Sequence, residues 1–225
     1  MKALISQPNL VEQVRDALLA EIASGAFAPG DRIIQEQLAQ ALGVSRQPVQ
    51  QALVLLRNQG VLQDAPGRGL LVASLDADHV QHMYDMRAVI EGLAARRAAE
   101  FGSERAAKAG QAFIDAGRRA VAAGSVAKMI SADMRFHEFI YGLSGNPLIA
   151  PTLEAHLGYT QRVMGQVLIS EDKPRDIWDQ HAEILKAIAK GDSERAEALV
   201  RSHLVQAADF MVARLRGRIS VESAA

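Results

Sequence analysis

Four side chains in the second half of this 225-residue chain have the types needed to hold a divalent cation: Asp133, His137, His181 and His203. Asp133 and His137 are four apart, so a helix places both on one face. His181 stands in WDQHAEIL and His203 in VRSHLVQA, each beside apolar residues at helical spacing. A carboxylate and three imidazoles converging from three helices would supply four donors and leave positions open for water or a small molecule. Taken singly, each histidine is more often a surface or hydrogen-bonded core residue. Spacing alone does not bring His181 and His203 to Asp133. Arg87 and Glu91, also four apart, would pair with each other or with an anionic ligand, and the pair is the commoner outcome. Tyr159 and Arg162 are candidates for lining a pocket, and Trp178, three residues before His181, would either wall the site or pack in the core. His79 and His82 read as solvated, and His156 is given no role beyond a place behind the donors.

A second constellation lies near the N-terminus. LAQALGVSRQPVQQAL, Leu38 to Leu53, reads as a short helix, a tight turn and the start of a second helix. Leu38, Ala39 and Leu42 form the apolar stripe of the first, Gly43 permits the turn, and Val44 fills the corner. Ser45 is placed to cap the second helix, and Pro48 fits a first turn where a missing N–H loses no partner. Val49, Ala52 and Leu53 face the core, while Arg46, Gln47, Gln50 and Gln51 face outward. Arginine reads guanine edges and phosphates and glutamine reads adenine, so this face suits a DNA major groove. Two helices joined by a glycine turn also occur in bundles that never meet DNA. Here VLQDAPGRGLLVA follows at once, two apolar runs around Pro66, Gly67 and Gly69 that form a hairpin with Arg68 at its tip. A helix-turn-helix with a wing is the result, and Arg57 and Arg68 join Ser45, Arg46, Gln47 and Gln50 as candidate DNA contacts.

The stretch from PGDRII to GRGLLV resembles the N-terminal winged helix of GntR-type bacterial transcription regulators, in its PG pair, leucine-alanine pair, LGVSR, proline-valine pair and glycine-rich wing. The resemblance covers roughly Leu10 to Val72. This chain departs from the pattern at Gln50, where a second arginine is usual, at Gln51, commonly Glu, and at Glu36, where several members carry a basic residue.

Composition is that of an ordinary globular protein, 49% hydrophobic and 23% charged, long enough for two domains. The absence of cysteine excludes disulfides and thiolate metal sites and fits a reducing cytoplasm. The N-terminal MKALISQPNLVEQ lacks a signal-peptide core, and no stretch reaches the roughly 20 apolar residues that span a bilayer. A cytoplasmic protein with no membrane partner is therefore expected. Net charge is −1, so DNA binding must come from local placement of arginines and not from a global basic field.

Residues 1–74 are read as the DNA-binding domain and 75–225 as a second domain that is helical throughout. The periodicity and its breaks predict six helices in the latter, about Ala77 to Phe101, Ser103 to Ala123, Ser125 to Leu143, Pro147 to Ile169, Pro174 to Lys190 and Ser193 to Arg216. The fold class is thus mainly α, a winged helix-turn-helix followed by an all-α bundle.

DMRFHEFIYGLSGN, HAEILKAIAKGD, ERAEALVRSHL and MYDMRAVIEGLAARRAA resemble the helical effector domain called FCD, found in the FadR-like branch of the same regulators. The six helices place it nearer the six-helix subgroup than the seven-helix one. The resemblance implies that Asp133, His137, His181 and His203 bind a metal, zinc ahead of nickel or manganese, and that a small carboxylate effector reaches it. It further implies a homodimeric, metabolite-responsive regulator, a repressor in the commoner case, on a two-fold symmetric operator. Against it stand a metal-dependent hydrolase carrying a DNA-binding module and a purely structural helical adaptor. The HExxH pattern of metalloproteases fails at Tyr141, and no nucleophile triad or phosphate-cradling loop is present.

Overall fold

A computed structural model describes residues 10–168 and 177–222. The chain divides into two compact units, one comprising the residues up to Leu75 together with Ala155–Arg162, the other Asp76–Glu154 and the residues from Val163 onward.

In the first unit, helix α1 (Leu10–Ser24) carries Val14, Leu18 and Ile22 four residues apart, and this stripe is buried. It packs on helix α3 (Arg46–Asn58), whose Val49, Ala52, Leu53 and Leu56 are also buried. Helix α2 (Gln35–Leu42) lies between them in the chain and ends at Gly43, whose φ of 64° is the left-handed conformation that the turn requires. Strands β1 (Arg32–Ile33), β2 (Leu62–Asp64) and β3 (Leu70–Val72) form an antiparallel sheet in the order β1-β3-β2, with Leu62 opposite Val72 and Arg32 opposite Leu71. The β2–β3 connection is the expected wing. Gly67 and Gly69 turn it at φ values of 92° and 95°, where a side chain would strain the backbone.

Two local expectations are corrected. Ser45 occupies the N-cap of α3 in extended backbone, but its hydroxyl accepts no helix N–H, so the first turn of α3 has no side-chain cap. Leu42, predicted for the apolar stripe of α2, is 38% exposed because the helix ends there, leaving Ala39 buried and Leu38 half-buried.

The second unit holds α4 (Ala77–Phe101), α5 (Ser103–Ala109), α6 (Gln111–Ala122), α7 (Val126–Leu143), the ends of α8 (Ile149–Leu168), α9 (Ile177–Ala189) and α10 (Ser193–Glu222). Asp76 caps α4 by accepting from Asp78 N at 2.9 Å, and Ser125 caps α7 by accepting from Lys128 N at 3.4 Å. Helices α4 and α10 run against each other over much of their length. Small residues on α4, among them Ala94, Ala95 and Ala98, are fully buried. The stretch from Ser103 to Ala123, predicted as one helix, is two, which makes seven helices among the described residues of this unit where six were expected. The break falls at Gly110. A Cβ built there would lie 2.2 Å from Leu185 Cδ1, so only glycine lets α9 approach this closely. The predicted helix limits at Ile169 and Pro174, and the N-terminal segment before Leu10, lie outside the described residues. Among the described residues no helix is long and apolar enough to cross a membrane.

Candidate functional site

Asp133 and His137 stand one turn apart on α7, as their spacing requires, and α9 and α10 bring His181 and His203 to them. One ring nitrogen from each of the three histidines lies within 4.8 Å of those of the other two. His181 Nε2 is 3.2 Å from His203 Nε2 and 3.5 Å from Asp133 Oδ1, and His137 Nε2 is 4.0 Å from Asp133 Oδ2. All three histidines are buried, whereas the Asp133 side chain keeps 13% exposure and is the edge of the cluster open to solvent.

The far side of each ring shows how the cluster is held. His137 Nδ1 lies 2.7 Å from Glu91 Oε2, and the other oxygen of Glu91 accepts from Arg87 Nε at 2.7 Å. The Arg87 guanidinium also lies over the Tyr84 ring, 4.7 Å from its centroid. Thus the Arg87–Glu91 pair, expected from spacing alone, turns its free carboxylate oxygen onto a histidine. His203 Nδ1 lies 2.8 Å from Gln180 Oε1. His181 has aromatic walls instead: Phe136 at 4.5 Å and Trp178, edge-on, at 4.7 Å between ring centres. Among the described residues, His137 Nε2 and His181 Nδ1 have no hydrogen-bond partner although both are buried.

The electrostatics follow from this packing. Burial would raise the Glu91 carboxyl, but Arg87, followed by His137, holds it well below the ordinary carboxylate range. Burial opposes the charging of His137, yet the Glu91 carboxylate outweighs it and raises that imidazole. Burial pushes His203 down to about 3 and His181 well below its usual value, with the neighbouring histidines adding to the effect. Burial also raises Asp133. Two neutral imidazoles and a third fixed by a carboxylate, one ring nitrogen of each convergent and His137 Nε2 without a partner, form a donor set of the kind that fits a tetrahedral or octahedral cation with open positions.

Trp178 is the chain's only tryptophan, and Gly117 on α6 makes room for it. A Cβ at Gly117 would fall 2.0 Å from two of the indole carbons. Gly117→Ala is therefore expected to displace Trp178 from His181 and to cost about 1–3 kcal/mol as an overpacked core. An unaltered Trp178 emission maximum together with an unchanged denaturation midpoint would refute this.

Two other sequence candidates are placed elsewhere. Arg162, expected to line the effector pocket, is grouped with the first unit and donates its guanidinium to the backbone oxygens of Val61 and Ala73. It thereby bridges the two carbonyls where the wing hairpin opens, beside the bond from Ala73 N to Val61 O, and a buried guanidinium committed to two carbonyls is not a free anion hook. Tyr159 is buried in the same segment. Sequence reasoning passed over Glu91 as the holder of His137 and missed Gln180 altogether. The only available signal for the latter was an amide side chain adjacent to a histidine.

On α3, Arg46, Gln47, Gln50 and Gln51 are exposed and Pro48 is buried. Glu36 on α2 accepts from the Arg46 guanidinium, and both side chains are about 70% exposed, at 71% and 68% respectively. Gln35 Nε2 donates to Arg46 O at 2.9 Å, tying α2 to the first residue of α3. Arg57 lies 3.5 Å from Asp64. Arg68 is exposed on the wing.

Comparison with known proteins assigns both units. Residues 10–72 match the bacterial regulatory proteins of the gntR family, and residues 82–206, more than half of the chain, match the FCD domain. The uncharacterized HTH-type transcriptional regulator YdhC of Bacillus subtilis is 27% identical over 85% of this chain and 86% of its own length. The Nta operon transcriptional regulator of Aminobacter aminovorans is 27% identical over 86% and 90%. The HTH-type transcriptional repressor RspR of Escherichia coli is 26% identical over 86% and 85%. Among solved structures, E. coli McbR/YncC shares the fold with a TM-score of 0.79 at 22% identity, covering 96% of this chain and all of that one. A putative transcriptional regulator GntR from Rhodococcus follows with a TM-score of 0.74 at 22% identity, over 90% of this chain and 97% of that one. The three relatives and the Rhodococcus protein are all named as regulators, which leaves the metal-dependent hydrolase reading without support. With a gntR-type winged helix at one end and an FCD domain filling most of the rest, the chain belongs to the GntR family of DNA-binding transcription regulators.

Proposed function

We propose that this regulator is a cytoplasmic homodimeric repressor that senses a small organic acid at a divalent cation held by Asp133, His137, His181 and His203. The observation that carries the reading is the convergence of one ring nitrogen from each of three imidazoles beside a carboxylate, with His137 Nε2 buried and unpartnered. A buried donor of that kind costs about 1–3 kcal/mol unless something satisfies it. The cation supplies positive charge and open coordination positions. Asp133 is the partly exposed member, and Trp178 packs edge-on against His181. Arg87 serves the site through Glu91. The repressor sense is supported by the name of RspR, and the cytoplasmic one by DNA as the partner.

Trp178 provides the test. Metal-free protein titrated with zinc, then with a panel of small carboxylates, is expected to show two saturable changes in emission, the second only when zinc is present. Carboxylates without effect on zinc-loaded protein would overturn the effector reading.

On the DNA side, α3 enters the major groove and the wing tip lies at the backbone or minor groove. The uncapped N-terminus of α3, without an acidic residue in its first turn, suits a phosphate. Arg46→Ala is expected to cost about 1–3 kcal/mol of binding to a duplex selected from a random library by the wild-type protein. An unchanged gel shift would remove Arg46 from the reading set.

The second copy of the chain has a candidate seat on α4. Met86, Val89 and Leu93 recur at one face of that helix and are 44%, 55% and 44% exposed, an apolar stripe that a two-fold partner would cover with its own. Val89→Glu with Leu93→Glu is expected to convert dimer to monomer in sedimentation. An unaltered mass would place the interface elsewhere.

A further inference from the structure

The ring nitrogen of His203 that faces away from the cluster ends a chain of side-chain amides. His203 Nδ1 is 2.8 Å from Gln180 Oε1, Gln180 Nε2 donates to Gln206 Oε1 at 3.1 Å, and Gln206 Nε2 donates to Ser202 Oγ at 2.9 Å. Gln180 is half-buried, Gln206 and Ser202 are exposed, and all four residues line a groove of about 310 Å³ between α9 and α10. The polarity of this chain is informative. An amide oxygen only accepts, so the hydrogen in the His203–Gln180 contact belongs to the imidazole. A neutral imidazole protonated at Nδ1 has its lone pair on Nε2, the atom 3.2 Å from His181 Nε2 at the centre of the cluster. The reverse orientation would put a hydrogen on Nε2, where a cation needs an electron pair.

We propose that Gln180 is a positioning residue of the sensor site: it holds His203 as the Nδ1–H tautomer and so aims the Nε2 lone pair into the cluster, as Glu91 does for His137. The assignment rests on the metal-site reading above, but its first readout does not need a metal. In metal-free full-length protein, nitrogen–proton correlation spectra of the imidazoles are expected to show His203 protonated at Nδ1. Gln180→Met keeps the length and volume of the side chain while removing the acceptor, and it is expected to shift His203 toward the Nε2–H form. Gln180→Glu keeps an acceptor and is expected to preserve the wild-type tautomer. In competition with a chromophoric chelator, zinc affinity is expected to fall about 10–100-fold in Gln180→Met and to stay within about threefold of wild type in Gln180→Glu. Equal melting of the two variants, followed by Trp178 emission, separates this effect from loss of fold. An unchanged His203 tautomer in Gln180→Met overturns the proposal, as does unchanged zinc affinity in that variant. A wild-type protein that takes up no zinc refutes the metal site alone, and the tautomer comparison still decides what Gln180 does.

Discussion

Glu91→Ala is expected to destabilise the helical unit by about 3–5 kcal/mol, the range found when one partner of a buried ion pair is removed. The Glu91 and Arg87 side chains are 1% and 4% exposed, and truncating the acid leaves a guanidinium that cannot shed its proton in an interior that cannot hydrate it. The same change removes the carboxylate oxygen that lies 2.7 Å from His137 Nδ1, so the histidine loses the charged contact that orients it. Because Arg87 and His137 hold the Glu91 carboxyl below its unfolded value, its contribution is complete above the ordinary carboxylate range. It is lost as pH falls through that range toward the folded value. Denaturant unfolding followed by Trp178 emission checks this, since the indole reports on the helical unit. Replacing both partners, Arg87→Met with Glu91→Leu, should recover much of the loss by removing the orphaned charge. A Glu91→Ala midpoint equal to wild type would show that the pair carries no such weight.

The second large effect concerns metal content. Protein purified without chelator is expected to carry close to one divalent ion per chain by elemental analysis, and the double variant His137→Ala, His181→Ala essentially none. Two of four donors disappear, and those that remain, Asp133 and His203, come from different helices with no cation to hold them together. Binding that is specific to the folded state also stabilises it, by about 2.7 kcal/mol when the free ion is a hundred times the dissociation constant. Chelator should accordingly lower the melting temperature of wild type and leave that of the double variant unmoved. Equal metal content in the two proteins would dissolve the proposed site, while the GntR assignment, which rests on other residues, would stand.

Exposed charge on the reading helix is a quieter matter. A surface pair such as Glu36 with Arg46 contributes about 0–1 kcal/mol to folding. Its importance lies in its position, since it sets a carboxylate against the arginine proposed to meet DNA.

Much of this protein was legible from local pattern. Gly43, the apolar stripes of α1 and α3, and the paired glycines of the wing each act within a few residues, and a turn or a helix face is a property of the nearest neighbours in the chain. The one-turn spacing of Asp133 and His137, and of Arg87 and Glu91, belongs to the same class. Gly110 was visible as a glycine but not as a point of close approach, because what requires glycine there is Leu185 on a different helix. Ser45 had the right residue type for a cap, yet residue type does not tell where a hydroxyl turns. Arg162 looked like any cation on an amphipathic helix, and its carbonyl partners stand 101 and 89 residues away. Separation in sequence also hides Gln180, whose target is not the adjacent His181 but His203, 23 residues on. Periodicity determined which side chains each helix turns inward. Which of those inward faces meet, and so which nitrogen faces which oxygen, was decided by the close packing of helices on small residues such as Ala94, Ala95 and Ala98. Helix-to-helix approach is a contact between surfaces far apart in the chain, and no local repeat encodes it.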